Sequence, residues 1–207
     1  MGRLTNKVAL ISGVARGQGR SHALRLAAEG VSVIGFDGLC TYDTVPYKQA
    51  TQRDLDETVR LIREAGGKIY AGRADVRDRG EIEHIIKEGT AEAGPIDIVV
   101  ANAGIGINSR PFWEVSQQEW DDVIGVCLTG AWHTVSAAVP SMIAAGHGGS
   151  VIMTSSAAAL KAAPQLSPYI AAKTGVIGMM RSMANDLAPY RSGSTASLRR
   201  RYPLTSC

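Results

Sequence analysis

Three residues in the second half of the chain have the types and spacing of a proton-transfer site. Ser156 is followed by Tyr169 and, four residues further on, by Lys173. Residues i and i+4 share one helix face, so the Tyr169 and Lys173 side chains are predicted to lie together. A tyrosine with an ordinary pKa of about 10 transfers protons poorly at neutral pH, but a neighbouring cation lowers that pKa. Tyr169 can then exchange a proton with an alcohol or carbonyl oxygen, which Ser156 can hydrogen-bond.

A Tyr-x-x-x-Lys pair is common by chance, and alone it would indicate an exposed surface pair. A glycine-rich segment, SGVARGQG at residues 12–19, supplies the context, because an apolar strand pattern precedes it and a helical pattern follows. The first glycine permits a tight turn, the second lets the backbone approach a pyrophosphate, and the third lets the helix pack close to the strand. The free N–H groups of that helix then face the phosphates. The predicted phosphate-loop residues are Gly13, Arg16, Gly17, Gln18 and Gly19.

An acidic residue ends the second predicted strand, 18 residues after Gly19. A carboxylate at Asp37 can accept hydrogen bonds from both hydroxyls of an adenosine ribose and would repel a 2′-phosphate, which favours NAD over NADP. Arg16 favours NADP instead, because a cation in the phosphate loop can pair with a 2′-phosphate. The prediction is NAD, because Asp37 excludes the phosphate by charge as well as attracting the hydroxyls.

Two further strand ends complete the predicted nucleotide site. The third strand ends at Asp75 and Val76, where a carboxylate can meet the adenine amino group, although a simple turn before the next helix is the alternative. The fourth ends at Asn102, Ala103 and Gly104, where small residues let a cofactor lie against the backbone and Asn102 can tie adjacent strand ends together. The carboxyl ends of strands in an open α/β sheet line one crevice, so these groups are expected to converge.

The elements that must position these residues alternate between strands and helices. Continuous apolar runs at 8–11, 31–36, 69–71, 96–101 and 151–154 predict strands buried on both faces, and amphipathic stretches lie between them. This alternation predicts an α/β fold with a Rossmann-like, doubly wound parallel sheet in a single domain. Residues 38–52 form an unusually long loop after the second strand, and loops of that length are often functional.

Composition excludes several other classes of protein. The chain has 207 residues, 45% apolar and 20% charged, as in a globular domain. The net charge is +3, but four arginines lie in the acid-free last 19 residues, so the body is not a basic nucleic-acid binder. Three cysteines without paired spacing predict no disulfide framework and no metal site. We found no leader sequence and no apolar run near the ~20 residues of a membrane span, so a cytoplasmic protein without membrane partners is expected.

The motifs in combination resemble the classical short-chain dehydrogenase/reductase family. SGVARGQG, ADV, NAG, SS and YIAAK carry the resemblance over residues 4–190, while GVARGQGRSHA, the insert at 38–52 and LTGAWHT resemble its mycofactocin-coupled, carveol-dehydrogenase-like branch. The resemblance implies interconversion of a small secondary alcohol and its ketone, with Tyr169 as general acid/base, Ser156 positioning the substrate oxygen and Lys173 also holding the nicotinamide ribose. It further implies an insert folded over a tightly held NAD, mycofactocin as an external redox partner, and a homo-oligomer.

The sequence departs from the family pattern at Cys127. The family has a catalytic asparagine within a VNLTG-like stretch, and this chain has VCLTG at residues 126–130. The asparagine carbonyl normally holds a relay water near the lysine, and a thiol is a weaker hydrogen-bonding group than an amide. We therefore expect Cys127 to fill the space with an impaired proton relay.

The second departure is the carboxyl-terminal segment, residues 191–207. The family continues with strands six and seven and a substrate lid, whereas RSGSTASLRRRYPLTSC has no apolar periodicity. Allowed codons for this segment, with one base added after the Arg191 codon, read IRVNSVPPTTVSTHLM in the shifted frame, which is a family-like continuation. The sequence thus predicts a frameshifted, truncated chain. Residues 1–190 would form an incomplete domain, residues 191–207 a disordered tail, strands six and seven would be missing, and strand five would be a sheet edge.

Two other functions stay open at this point. One is a 3-oxoacyl-carrier reductase with exchangeable NAD(P), against which the insert at 38–52 argues. The other is a non-catalytic nucleotide-binding remnant, which Cys127 and the altered tail favour.

Overall fold

A computed structural model describes residues 4–190 and the backbone of residues 192–199. The described residues form one six-stranded parallel sheet in the order β3-β2-β1-β4-β5-β6. The strands are β1 (Val8–Ser12), β2 (Ser32–Asp37), β3 (Ile69–Arg73), β4 (Ile98–Ala101), β5 (Gly149–Ser156) and β6 (Ser192–Arg199). The helices are α1 (Gly17–Ala28), α2 (Gln52–Glu64), α3 (Arg79–Ala93), α4 (Gln117–Ile124), α5 (Gly130–Ala145) and α6 (Ser167–Leu187). The strand order reverses between β1 and β4, which is where an open α/β sheet forms its ligand crevice.

Apolar side chains cover both faces of the sheet, as the continuous runs predict. Leu10 and Ile34 point to one face, where residues of α3, α5 and α6 pack, including Ile82. Ala9 and Ile11 point to the other face and pack with residues of α1 and α2, including Ile62. Because successive strand residues point to opposite faces, burial of both sets requires helices on each side. The predicted doubly wound α/β fold is confirmed.

Hydrogen-bonded caps set where the middle helices begin. Thr51 and Asp54 form a reciprocal capping box at the start of α2. Asp78 accepts hydrogen bonds from two backbone N–H groups at the start of α3, and Ser116 and Glu119 form a second capping box at α4. These side chains satisfy N–H groups that a helix leaves unpaired at its amino end.

One continuous helical stretch, Gln117–Ala145, is long and apolar enough by length and composition to cross a membrane, which the sequence analysis did not anticipate. It consists of α4, a π-helical turn at Gly125–Thr129, and α5. Its apolar content has a structural explanation, because Val135 and Met142 are at most 2% exposed in the core beneath the sheet. A core helix of this kind passes the same length and composition test.

The sixth strand corrects the expectation for the carboxyl-terminal segment. The backbone of β6 pairs in parallel with β5 from Ser192 opposite Gly149 to Arg199 opposite Ser156. The predictions that strand six is missing, that β5 is a sheet edge, and that these eight residues are disordered are therefore wrong. The physical reason is that sheet pairing uses backbone groups, which a strand edge offers to any following segment without proline. Arg191, residues 200–207 and the position of a seventh strand lie outside the described residues.

Candidate active site and nucleotide crevice

The glycine loop has the geometry that close approach of a ligand requires. Gly13 and Gly17 have φ values of +71° and +58°, which glycine adopts without the penalty of a side chain. A Cβ on Gly19 would lie 1.9 Å from the Gly13 carbonyl oxygen, so only glycine lets α1 start this close to β1. A Cβ on Gly17 would meet no described atom within 4 Å, so Gly17 borders open space. Within the described chain, the Arg16 side chain makes no capping hydrogen bond at α1. The Arg16 side chain therefore does not occupy the N–H groups in the first turn of α1. An anion-binding site at a helix start needs such N–H groups to point at the ligand.

Asp37 ends β2 beside this loop, as predicted. Its Oδ2 accepts a hydrogen bond from Ala15 N at 3.1 Å, and its Oδ1 accepts one from Leu39 N at 3.3 Å. Burial raises the pKa of the Asp37 carboxyl above its ordinary value, while the two backbone bonds and the charge of Arg16 act in the opposite direction. The carboxylate is therefore oriented by the backbone on both sides, in a partly buried position.

Asn102 ties three strand ends together, as the sequence suggested. Its backbone N–H donates to Ser12 Oγ at 3.0 Å and its side-chain Nδ2 to the Ser12 carbonyl at 3.1 Å. Its Oδ1 accepts from Thr154 Oγ1 at 3.4 Å. Next to it, Ala103 lies so close to Gly13 that a Cβ on Gly13 would be 3.0 Å from the Ala103 Cα. The ends of β1, β4 and β5 thus form a single tied edge of the crevice.

Asp75 lies at the end of β3 and has protein partners. Its carboxylate accepts a hydrogen bond from Arg77 N at 2.9 Å, from Arg77 Nη2 at 2.7 Å, and from Cys40 Sγ at 3.4 Å. Burial acts to raise the pKa of Asp75, but the bonds from Arg77 outweigh it and leave that pKa below its ordinary value. The neighbouring Val76 is 5% exposed. Asp75 therefore stays ionised, with Arg77 as its main partner.

Tyr169 and Lys173 lie together on α6, which packs against β5, the strand that ends at Ser156. Lys173 is 3% exposed, and its Nζ donates to the Thr154 carbonyl oxygen at 2.8 Å. The same Nζ lies 5.8 Å from the centroid of the Tyr169 ring. Ser156 is 3% exposed, and its Oγ accepts a hydrogen bond from Ala158 N at 3.2 Å. The structure thus places the buried amino group of Lys173 beside the Tyr169 ring, with Ser156 at the end of the strand against which α6 packs.

The thiol of Cys127 makes a reciprocal pair with the backbone of Ile105. Ile105 N donates to Sγ at 3.3 Å, and Sγ lies 3.3 Å from the Ile105 carbonyl oxygen, to which it donates. Cys127 is fully buried and sits in the π-helical turn between α4 and α5. A Cβ on Gly104 would lie 3.4 Å from Lys173 Nζ and 3.5 Å from Cys127 Sγ, so Gly104 faces the space between these two groups. The thiol therefore anchors the chain after β4 next to the lysine.

Residues 38–52, which we call the strap, cross the crevice. Tyr47 in the strap contacts both sides of the crevice. On one side, the Arg16 guanidinium carbon is 5.9 Å from the Tyr47 ring centroid. On the other side, Gly106 N donates a hydrogen bond to the Tyr47 hydroxyl at 3.0 Å. One side chain thus joins the phosphate loop to the segment after β4. Sequence analysis predicted a functional loop here but gave no signal for Tyr47.

A second set of contacts holds the strap to α4 and to the end of β3. The Arg77 guanidinium carbon is 4.7 Å from the centroid of the Tyr42 ring. Thr44 Oγ1 donates to Asp122 Oδ2 at 2.7 Å, and Arg77 Nη1 lies 3.6 Å from Asp122 Oδ1. Burial raises the pKa of the Tyr42 phenol, which stays protonated. The strap is therefore anchored at four places: the phosphate loop, the segment after β4, the end of β3 and α4.

The described residues contain no group of three or more His, Cys, Asp or Glu side chains that could hold a metal ion. The pieces assembled here are a glycine loop at a helix start, a carboxylate at the end of β2, and a tyrosine beside a buried lysine.

Comparison with known proteins identifies this combination. The chain matches the short chain dehydrogenase family over residues 7–191. It is 47% identical over 192 residues to a short-chain type dehydrogenase/reductase of Mycolicibacterium smegmatis, covering 91% of this chain and 68% of that protein. It is 45% identical over 193 residues to (-)-trans-carveol dehydrogenase of Rhodococcus erythropolis, covering 92% of this chain and 69% of that enzyme.

Solved structures give the same result. The crystal structure of carveol dehydrogenase from Mycobacterium avium in complex with NAD is similar, with a TM-score of 0.93 and 43% identity over 96% of this chain and 72% of that one. A short chain dehydrogenase from Mycobacterium paratuberculosis bound to NAD has a TM-score of 0.91 at 39% identity, covering 94% of this chain and 72% of that one. By sequence and by structure, this chain belongs to the short-chain dehydrogenase family, in its carveol-dehydrogenase-like branch.

Proposed function

We propose that this chain is an NAD-dependent oxidoreductase that interconverts a small, mostly apolar secondary alcohol and its ketone. The observation that carries the proposal is the buried Lys173 ammonium, held by the Thr154 carbonyl 5.8 Å from the ring centroid of Tyr169. A cation in that position favours the phenolate and makes the tyrosine an acid-base group near neutral pH. Family membership supports the same chemistry.

The residues at the crevice fit a dinucleotide. Gly17 borders open space at a helix start, and such a helix start favours a pyrophosphate. Asp37 would hold the adenosine ribose, Asp75 and Val76 would border the adenine, and Asn102, Ala103 and Gly104 would lie along the dinucleotide. NAD bound there supplies a hydride acceptor for alcohol oxidation. The NAD complexes of the two mycobacterial relatives support this assignment.

The chain's own residues handle the proton. During alcohol oxidation, Tyr169 as phenolate accepts the proton of the substrate hydroxyl, and in ketone reduction it returns a proton to the carbonyl oxygen. Ser156 donates a hydrogen bond to that oxygen and positions it. Lys173 stabilises the phenolate, and its location beside Gly104 also suits a bond to the nicotinamide ribose. The Tyr169 ring packs with Ile107, Cys127 and other apolar residues, which suits an apolar substrate.

The strap favours this branch of the family over a 3-oxoacyl-carrier reductase. Such a reductase of Staphylococcus aureus is 35% identical over 182 residues, against 45% for the carveol dehydrogenase of Rhodococcus erythropolis. A strap anchored through Tyr47 would slow release of the nucleotide, whereas a reductase with exchangeable cofactor needs it to leave. The proposal therefore includes a tightly held NAD. From the family resemblance it also takes mycofactocin as the external redox partner and a homo-oligomer, and from the sequence a cytoplasmic location.

A non-catalytic nucleotide-binding remnant is the second candidate. It is favoured because Cys127 stands where the family pattern has a catalytic asparagine, and because residues 191–207 depart from that pattern. Trans-carveol oxidation by the purified, NAD-loaded chain separates the two, when it is followed as reduction of an electron-accepting dye that reoxidises the bound NADH. We expect turnover that Tyr169→Phe reduces by at least about a hundredfold, since positioned acid-base catalysis contributes about 10²–10⁴. Nucleotide binding without turnover in the parent chain would favour the remnant. Equal turnover in parent and Tyr169→Phe would refute the assigned role of Tyr169.

A further inference from the structure

The peptide group between Val14 and Ala15 is held at both ends. Its N–H, from Ala15, donates to Asp37 Oδ2 at 3.1 Å. Its carbonyl oxygen, from Val14, lies 3.1 Å from Thr58 Oγ1. Since a peptide group is planar, a partner that fixes the carbonyl end also fixes the direction in which the N–H points. Thr58 thus helps to fix the direction of the Ala15 N–H, which donates the hydrogen bond that orients Asp37.

The next peptide group, between Ala15 and Arg16, is held by Arg20 of α1 and by Thr58 of α2. The Ala15 carbonyl oxygen accepts hydrogen bonds from Arg20 Nε at 3.1 Å and from Arg20 Nη2 at 2.5 Å. Arg20 Nε also lies 2.8 Å from Thr58 Oγ1, to which it donates. This peptide leads directly into Arg16, whose cation is the group in the loop that suits a 2′-phosphate.

Thr58 is a buried residue with a specific polar role. It is fully buried in α2, and its Oγ1 lies within 3.0–3.2 Å of the carbonyl oxygens of Val14, Ala15 and Asp54. Arg20 Nη2 donates to the Asp54 carbonyl oxygen at 2.7 Å. A hydroxyl and a guanidinium fork therefore join α1, α2 and the phosphate loop at one point.

We propose that Thr58 and Arg20 are positioning residues for cofactor selection: they fix the two loop peptides so that Asp37 faces a ribose with free hydroxyls. The inference rests on the proposed function in one respect, because it takes Asp37 as the ribose-binding carboxylate. If the two peptides rotate, Asp37 loses its 3.1 Å bond to Ala15 N and Arg16 moves with the loop. Both changes reduce discrimination against NADP.

The test is the ratio of the dissociation constants for NADP and NAD, measured on nucleotide-free protein by isothermal calorimetry. Thr58→Val keeps the side-chain shape and removes the hydroxyl, and we expect the ratio to fall about tenfold, as loss of one hydrogen bond of about 1.4 kcal/mol predicts. Thr58→Ser keeps the hydroxyl and should leave the ratio within about twofold. Arg20→Lys keeps the positive charge but loses the forked guanidinium hydrogen bonds, and it should lower the ratio by a similar factor. If Thr58→Val does not fold, Arg20→Lys still tests the proposal.

An unchanged ratio of the two dissociation constants in both Thr58→Val and Arg20→Lys would overturn the proposal. This includes the case in which both nucleotides bind more weakly by the same factor, which a loosened loop without a selective role predicts. Asp37→Ala separates this inference from the proposed function. A collapsed ratio in Asp37→Ala with an unchanged one in Thr58→Val overturns only the positioning role, whereas an unchanged ratio in Asp37→Ala removes the assignment of Asp37 and this inference together.

Discussion

Removing the thiol of Cys127 should destabilise the protein measurably. Its Sγ bonds both the N–H and the carbonyl of Ile105, each at 3.3 Å, in a fully buried position. Cys127→Ala leaves two buried backbone groups without this partner, and each costs about 1–3 kcal/mol when unsatisfied. Because sulfur makes weak hydrogen bonds, the lower end applies to each group, which gives about 2 kcal/mol in total. For a domain of this size, that loss lowers Tm by about 4–8 °C.

Cys127→Asn should preserve the local structure and raise turnover above that of the parent. An amide carries both a donor and an acceptor, so it can meet the same N–H and carbonyl of Ile105 with stronger bonds than a thiol makes. The resemblance to the family places an asparagine here in the proton relay beside Lys173. We expect kcat for trans-carveol oxidation to rise at least about tenfold, with the largest gain below neutral pH, where removal of the proton is hardest.

Thermal unfolding and the pH profile of kcat are the assays, and Cys40→Ala is the matched control. Cys40 is a partly exposed thiol whose Sγ lies 3.2 Å from the Gly38 carbonyl and 3.4 Å from Asp75 Oδ2. Its loss should cost less than about 1 kcal/mol, because water can replace the thiol. The reasoning about Cys127 fails if Cys127→Ala melts within about 1 °C of the parent, or if Cys127→Asn turns over more slowly than the parent.

Four further outcomes follow from the geometry. Tyr47→Phe removes the hydroxyl that accepts from the backbone 3.0 Å away, so bound NAD should exchange about tenfold faster in a dialysis assay; an unchanged rate contradicts the strap's role. Gly19→Ala, whose Cβ would lie 1.9 Å from a carbonyl oxygen, should abolish NAD binding, whereas Gly178→Ala in open helical space should raise Tm. Burial raises the pKa of Asp37, so ionisation costs stability as pH rises; Asp37→Asn should melt above the parent at pH 7 but not in acid. One base added after the Arg191 codon should raise Tm by several degrees, because isoleucine and valine replace small polar residues at β6.

The sequence was sufficient for five of the six described strands and for two features at their ends, the glycine loop and the Asn102 tie. Apolar runs located five strands, and their alternation with helices predicted that the strands run parallel. The glycine loop and the tie made by Asn102 were predictable because each needs one residue type at one place: Gly19 for a helix start without room for a Cβ, and Asn102 for bonds to Ser12 and Thr154.

Other features of the site could not be predicted from the sequence. Tyr47, Thr58 and Arg20 act through contacts between segments far apart in the chain, and no spacing rule connects Thr58 to the Val14 carbonyl 44 residues away. The strand at 192–199 was also missed, because its side chains have no strand-like pattern and its pairing depends on the backbone edge of β5.

In the proposed function, the strap also sets the order in which reactants can enter and leave. Tyr47 joins both sides of the crevice, so a nucleotide bound beneath it as proposed would have to wait for that bridge to open. A cofactor retained through many cycles behaves as a prosthetic group, and its reduced form must be reoxidised where it lies. Substrate oxidation and cofactor reoxidation then become two half-reactions at one site. Initial-rate plots for the alcohol and the electron acceptor would be parallel lines, the pattern of a ping-pong mechanism, in place of the intersecting lines of an ordered ternary complex.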